Sequence, residues 1–173
     1  MRIASLPVNR LPPCASDCAF IASGDGDSLV GSPYFSAAKL AELRAASKVV
    51  LVYNFGVPGN HYGVVDASMD AKKVDCLDSL GSISENHGLA VLDLLVKLDV
   101  TKPDGWEVNC FNGGEKGMPK QEDGTSCGVF AFATLVHLVR SAPLRFSQQD
   151  IRAWRTHMAL LLLAYSERTV SVT

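Results

Sequence analysis

The sequence lacks a charge bias of either sign. Lys and Arg total 16 against 18 for Asp and Glu, a net charge of −2, which excludes a dominant basic surface for nucleic acid or for anionic membrane. It also lacks a long hydrophobic run: the longest, Met158 to Tyr165, is eight residues, far short of the ~18 a membrane span requires. Arg2 and Arg10 stand near the start with no apolar stretch beside them, so no secretory leader is expected. No internal repeat is visible. Cysteine is sparse and odd in number, at Cys14, Cys18, Cys76, Cys110 and Cys127, which predicts free thiols in a reducing intracellular compartment. Cys14-x-x-x-Cys18 has no second Cys or His pair at ligand spacing, and His87, His137 and His157 are scattered, so no metal site is expected. Gly113-Gly114 and Lys116 lack the spacing of a phosphate-binding loop. No cofactor is expected.

What is present is a globular composition, 47% apolar and 20% charged over 173 residues, the size of one domain. Residues 1–32 are rich in turn formers, such as Leu11-Pro12-Pro13 and Ser23 to Ser28, around a short apolar patch at Ala19-Phe20-Ile21. They are expected to form an arm or a divergent cap, with residues 33–173 as a single domain. Phe35, Leu40 and Leu43 predict a short helix after Pro33, and Lys48 to Phe55 a buried strand. Further strands are expected over about 62–67, 73–77 and 106–111, with a turn at Ser68 to Ala71. Helices are expected over about 89–98, 127–140 and 148–165, the last with Ser147 as N-cap and with Leu160 to Leu163 read as core in preference to an interaction face. The pattern is α+β: a short mixed or antiparallel central sheet flanked by helices.

Two places concentrate chemistry. If the hairpin turn is centred on Met69–Asp70, His61 and Asp78 face each other on adjacent strands, with Cβ atoms roughly 4.5–5.5 Å apart. A carboxylate there holds an imidazole in one tautomer, although a His and an Asp at hairpin ends can equally meet only solvent. Cys127 opens an apolar helix between Gly124-Thr125-Ser126 and Gly128, where the helix dipole favours a thiolate. The bland reading is a buried core thiol, and the flanking glycines speak for close ligand approach instead. Gln121, six residues upstream, carries an amide donor that can face an oxyanion. Asp66 is the other carboxylate near His61, and strand alternation favours Asp78 over it.

The segments Asn60 to Ser82 and Met118 to Ala133 resemble the catalytic blocks of the ubiquitin-like protease family, the SUMO/sentrin-specific cysteine proteases of the papain-related clan. That pattern has a His-Trp pair, an Asp seventeen residues after the His, and Gln-x-x-Gly-x-x-Cys-Gly. Here His61 and Asp78 are seventeen apart and Gln121 and Cys127 six apart. Tyr34-Phe35, Asn54, Trp106 and Phe146-Ser147-Gln148 are secondary matches, and the resemblance spans roughly residues 33–165.

The resemblance implies a papain-like fold with Cys127 as nucleophile at the start of a buried helix. His61 would be its base, Asp78 would orient His61, and Gln121 would join the Cys127 N–H in an oxyanion hole. Tyr62, Gly124, Ser126 and Gly128 would line the substrate channel. It implies cleavage after the terminal Gly-Gly of ubiquitin or a SUMO- or NEDD8-like modifier, through a thioester, by a monomer without nucleic acid or membrane. Rival expectations are an effector-type acetyltransferase of the same clan and a non-catalytic modifier-binding module. The chain departs from the pattern in three ways. Tyr62 stands for Trp, Ser126 stands where Asp usually precedes the Cys, and residues 1–32 hold no Trp-Leu-Asn-Asp helix. The location would be nucleus or cytoplasm, that of a host cell if the protein is a pathogen effector.

Overall fold

The computed structural model describes the backbone of residues 18–21, 35–55 and 61–170, and the side chains of residues 35–55 and 61–164. Its elements in chain order are β1 (Cys18–Ile21), α1 (Ala37–Ala45), β2 (Lys48–Phe55), β3 (His61–Ser68), β4 (Lys73–Asp78), α2 (Glu85–Lys97), β5 (Glu107–Asn112), α3 (Cys127–Val139) and α4 (Ile151–Val170). A single 3₁₀ turn, Gln148–Asp150, precedes α4. The five strands lie in the order β1-β2-β3-β4-β5. The inner three are antiparallel, while β1 joins β2 and β5 joins β4 in parallel. The sheet is therefore mixed.

Strand alternation sorts the side chains to two covered faces, which is why β2 reads as an almost unbroken apolar run. Val49, Leu51, Val65, Ala67, Val74 and Cys76 point to one face, where Leu43 of α1 and Val91, Leu92, Leu94 and Leu95 of α2 cover them. Val50, Val64 and Leu77 point to the other face, under Ala131 of α3 and Met118. Outside that layer, Val129, Phe130 and Ala133 of α3 pack on Phe146 and Ile151 at the start of α4. Gly88 sets the approach of α2: a Cβ there would stand 2.6 Å from Val108 Cγ1 and 2.7 Å from Cys76 Sγ.

Three expectations change. The hairpin turn is Met69 to Lys72, one residue further along the chain than expected, with Lys72 left-handed at φ 49°. Val64 consequently pairs with Leu77 rather than with Asp75, so His61 and Asp78 are not direct partners. The slip is two residues, and an even slip keeps every side chain on its face. Leu160, Leu162 and Leu163 are exposed (42%, 64% and 60%) rather than in the core, because α4 contacts α3 only near its start. Within residues 1–32 the described part is β1, an edge strand where an apolar patch was expected. Cys14, the remainder of the expected arm, Tyr34 and residues 56–60 lie outside the described residues.

Candidate active site

His61 is the first residue of β3 and pairs with Phe55, the last of β2. The Phe55 ring meets the imidazole edge-on, centroids 4.8 Å apart at 82°. His61 is 8% exposed and Asp78, ending β4, is wholly buried. The diagonal offset is bridged by side-chain length: His61 Nε2 lies 2.6 Å from Asp78 Oδ1. Asp78 Oδ1 also accepts the Leu80 N–H at 2.9 Å, and Oδ2 accepts those of Ser82 and of Ile83 (3.0 Å). A carboxylate only accepts, so His61 Nε2 carries the proton of this contact and Nδ1 is the ring nitrogen that faces away from Asp78. Asp66 is removed from this pair: its Oδ2 binds Lys48 Nζ at 2.9 Å.

Cys127 is the first residue of α3, a free thiol that is 8% exposed. α3 lies on the face of β3 that carries Val64. A Cβ built on Gly128 would stand 3.8 Å from Tyr62 Cδ2, so the residue after His61 and the residue after Cys127 lie close together. Gly124 is exposed with open space around its Cα. Val129 N and Phe130 N both donate to Ser126 O, at 2.9 and 3.0 Å. Among the described residues the N–H groups of Cys127 and Gly128 have no acceptor. A pair of open N–H groups at a helix start suits a developing negative charge.

Gln121 differs from expectation. It is buried; its N–H donates to Ser79 O at 2.9 Å and its Oε1 accepts from Ser79 Oγ at 2.9 Å. Its Nε2 donates to Asp123 O at 2.5 Å and to Asp123 Oδ1 at 3.3 Å. Both Asp123 atoms only accept, which forces the amide into this orientation. The Gln121 donor is engaged rather than open, and Gln121 clasps the loop to the residue after Asp78.

Sequence reasoning passed over Asp123, whose Asp-Gly-Thr-Ser context is the signal of a side chain folding its own turn. Asp123 accepts from Ser126 Oγ, from the N–H groups of Thr125 and Ser126, and from Gln148 Nε2. The Ser126 hydroxyl first, then the Thr125 N–H, hold its carboxyl below the usual carboxylate range. A carboxylate thus reaches Ser126 from three residues upstream. Ser79 was also missed. A Cβ on Gly113 would stand 2.0 Å from Ser79 O, so the Gly113-Gly114 loop seats the turn after Asp78. His137, in the last turn of α3, is packed with its ring centroid 5.3 Å from that of Phe146 and is bonded to Ala133 O.

A mixed sheet covered by helices on both faces is the fold that Ulp1-like protease domains show among solved structures. No family model matches the sequence. Among solved structures the chain is similar to the C-terminal Ulp1 protease domain in complex with Smt3, the yeast ortholog of SUMO. That match has TM-score 0.60 and 16% identity over 84% of this chain and 68% of that one. It is similar also to the Ulp1-like SUMO protease catalytic domain of Chaetomium thermophilum, at TM-score 0.59 and 18% identity over 87% of this chain. The chain spans 62% of that domain's length, less than two thirds. The central domain of a Legionella pneumophila protein matches at TM-score 0.53 and 18% identity, over 84% of this chain and 89% of that one. At such identities the likeness is one of fold.

Proposed function

We propose that the chain is a cysteine protease or isopeptidase that cleaves after the C-terminal Gly-Gly of ubiquitin or a ubiquitin-like modifier. The observation that carries this reading is the buried 2.6 Å contact between His61 Nε2 and Asp78, on the strand whose next residue lies against the start of the Cys127 helix. His61 Nδ1 takes the Cys127 proton, and the thiolate attacks the carbonyl of the terminal glycine. The oxyanion is held by the N–H groups of Cys127 and Gly128. The C–N bond breaks, the imidazolium protonates the leaving amine, and a thioester remains. Water, deprotonated by His61, then releases the modifier's carboxylate and restores the thiol. Tyr62 and Gly128, within a methyl group's reach of each other, form one wall of a channel that passes glycine-sized residues. The protein acts as a monomer in a reducing intracellular compartment, where its thiols stay free.

The test is a panel of SUMO, NEDD8 and ubiquitin carrying C-terminal aminomethylcoumarin or propargylamide. One modifier is expected to be hydrolysed and to form an adduct on Cys127. The adduct should vanish in Cys127→Ala and persist in Cys110→Ala. Equal labelling in both variants overturns the assignment.

A further inference from the structure

Ser126 holds the N-cap position of α3, where a serine hydroxyl ordinarily accepts an N–H of the first helical turn. Here its backbone, at φ −99° and ψ 2°, lies outside the extended region that a capping residue adopts, and it makes no such bond. Its Oγ donates to Asp123 Oδ2 at 2.7 Å and accepts from Arg155 Nη2 of α4 at 3.0 Å. Asp123 Oδ2 takes a second hydrogen bond, from Gln148 Nε2 at 2.6 Å, and the Gln148 Oε1 in turn accepts the Glu122 N–H at 2.9 Å. Asp123 Oδ1 accepts the Thr125 and Ser126 N–H groups at 2.9 and 2.8 Å. The serine best placed to cover the start of α3 is therefore drawn away from it, from two sides. The N–H groups beside the thiol are those that remain open.

We infer that Asp123 is a positioning residue for the chemistry of Cys127. It keeps the Ser126 hydroxyl out of capping geometry, so that the N–H of Gly128, which a capping hydroxyl would reach, stays open beside that of Cys127 for the oxyanion formed there. Through Gln121 it also ties this loop to Ser79, next to Asp78. The inference rests on the proposed function for its catalytic meaning, but the reactivity of Cys127 tests it separately. Its sign is diagnostic. As a bare negative charge near a thiolate, Asp123 would slow the thiol, and its removal would speed it. As the hydroxyl's anchor, its removal lets Ser126 swing back to cap the helix, and the thiol slows.

The experiment is a double-mutant cycle with Asp123→Ala, Ser126→Ala and the pair. It is read by iodoacetamide modification of the Cys127 peptide at neutral pH and, for a modifier that is cleaved, by kcat and KM. Asp123→Ala should lower the alkylation rate and kcat about tenfold, with KM within about twofold. In the Ser126→Ala background, where no hydroxyl can return, the same substitution should cost less than about twofold. An unchanged or faster rate in Asp123→Ala, or an equal loss in both backgrounds, overturns the inference. Should circular dichroism show that Asp123→Ala does not fold, Asp123→Asn, which keeps an oxygen for the turn, replaces it in the same cycle. The alkylation cycle decides the role of Asp123, and the modifier panel decides the function on which its catalytic meaning rests.

Discussion

Asp78 serves the imidazole with one oxygen and a turn with both. Its two oxygens collect three backbone N–H groups besides His61, so the same carboxylate that orients the ring also folds the chain leaving β4. Asp78→Ala strands those donors, each costing about 1–3 kcal/mol when left without a partner. A loss of at least ~3 kcal/mol should appear in urea denaturation. Asp78→Asn keeps the shape and an acceptor but can no longer accept from His61 and the turn together. It should fold with a smaller loss while kcat falls by a factor of about 10³ or more, measured on the modifier found in the panel. A variant that folds and retains full turnover would separate Asp78 from the chemistry. Gln121 makes a different point at this scale. Its amide type is evident from the sequence, but which way that amide faces is decided by two acceptor atoms of Asp123.

At the scale of elements, β3 carries a carboxyl that works against the fold at neutral pH. Asp66 is buried, faces Asp75 across β4 and has one oxygen, Oδ1, without a partner among the described residues. Burial raises its pKa above the ordinary value, more than the Lys48 bond lowers it. The folded state therefore binds this proton more tightly than the unfolded chain does. The resulting stabilisation is complete below the ordinary carboxylate value and is lost as pH rises through the raised one. The Asp66 contribution to stability should thus increase as pH falls towards the ordinary carboxylate range, and Asp66→Asn should flatten that part of the profile; urea midpoints at several pH values measure both. Helix α2 offers a second test. Gly88→Ala would gain about 1 kcal/mol in helix propensity. The new methyl, however, meets Val108 and Cys76 at 2.6 and 2.7 Å, and overpacking a sheet–helix contact costs about 1–3 kcal/mol. Packing should win, and thermal unfolding should show a lower midpoint.

For the whole molecule, the layers are α1 and α2, the mixed sheet, α3, and the start of α4. The layering decides which apolar residues count as core. Leu162 belongs to an eight-residue apolar run yet is 64% exposed. Leu162→Lys should shift stability by no more than about 0.5 kcal/mol. A loss above ~2 kcal/mol, typical of a packed leucine, would show in the same unfolding assay and would place this stretch in a core.

Existence and kind of element were legible wherever a local period was strong: β2 runs over the very residues, Lys48 to Phe55, that its apolar run marks, and α3 begins at Cys127 as its spacing predicts. The face shared by His61 and Asp78 was legible as well, since strand parity survives a two-residue slip. The register itself was not, because a turn at Ser68 to Ala71 and one at Met69 to Lys72 leave the same alternation in the flanking strands. Sheet edges, the hydroxyl of Ser126, the amide of Gln121 and the exposure of Leu160 to Leu163 were hidden for a common reason. Each depends on what lies opposite, and that partner is brought there by a distant part of the chain. The sequence by itself determined the chemical groups and their faces, through periods that act over a few residues. The tertiary structure alone decided which donors stay open beside Cys127, because hydrogen-bond partners such as Asp123, Gln148 and Arg155 compete only once loop and helix are packed together.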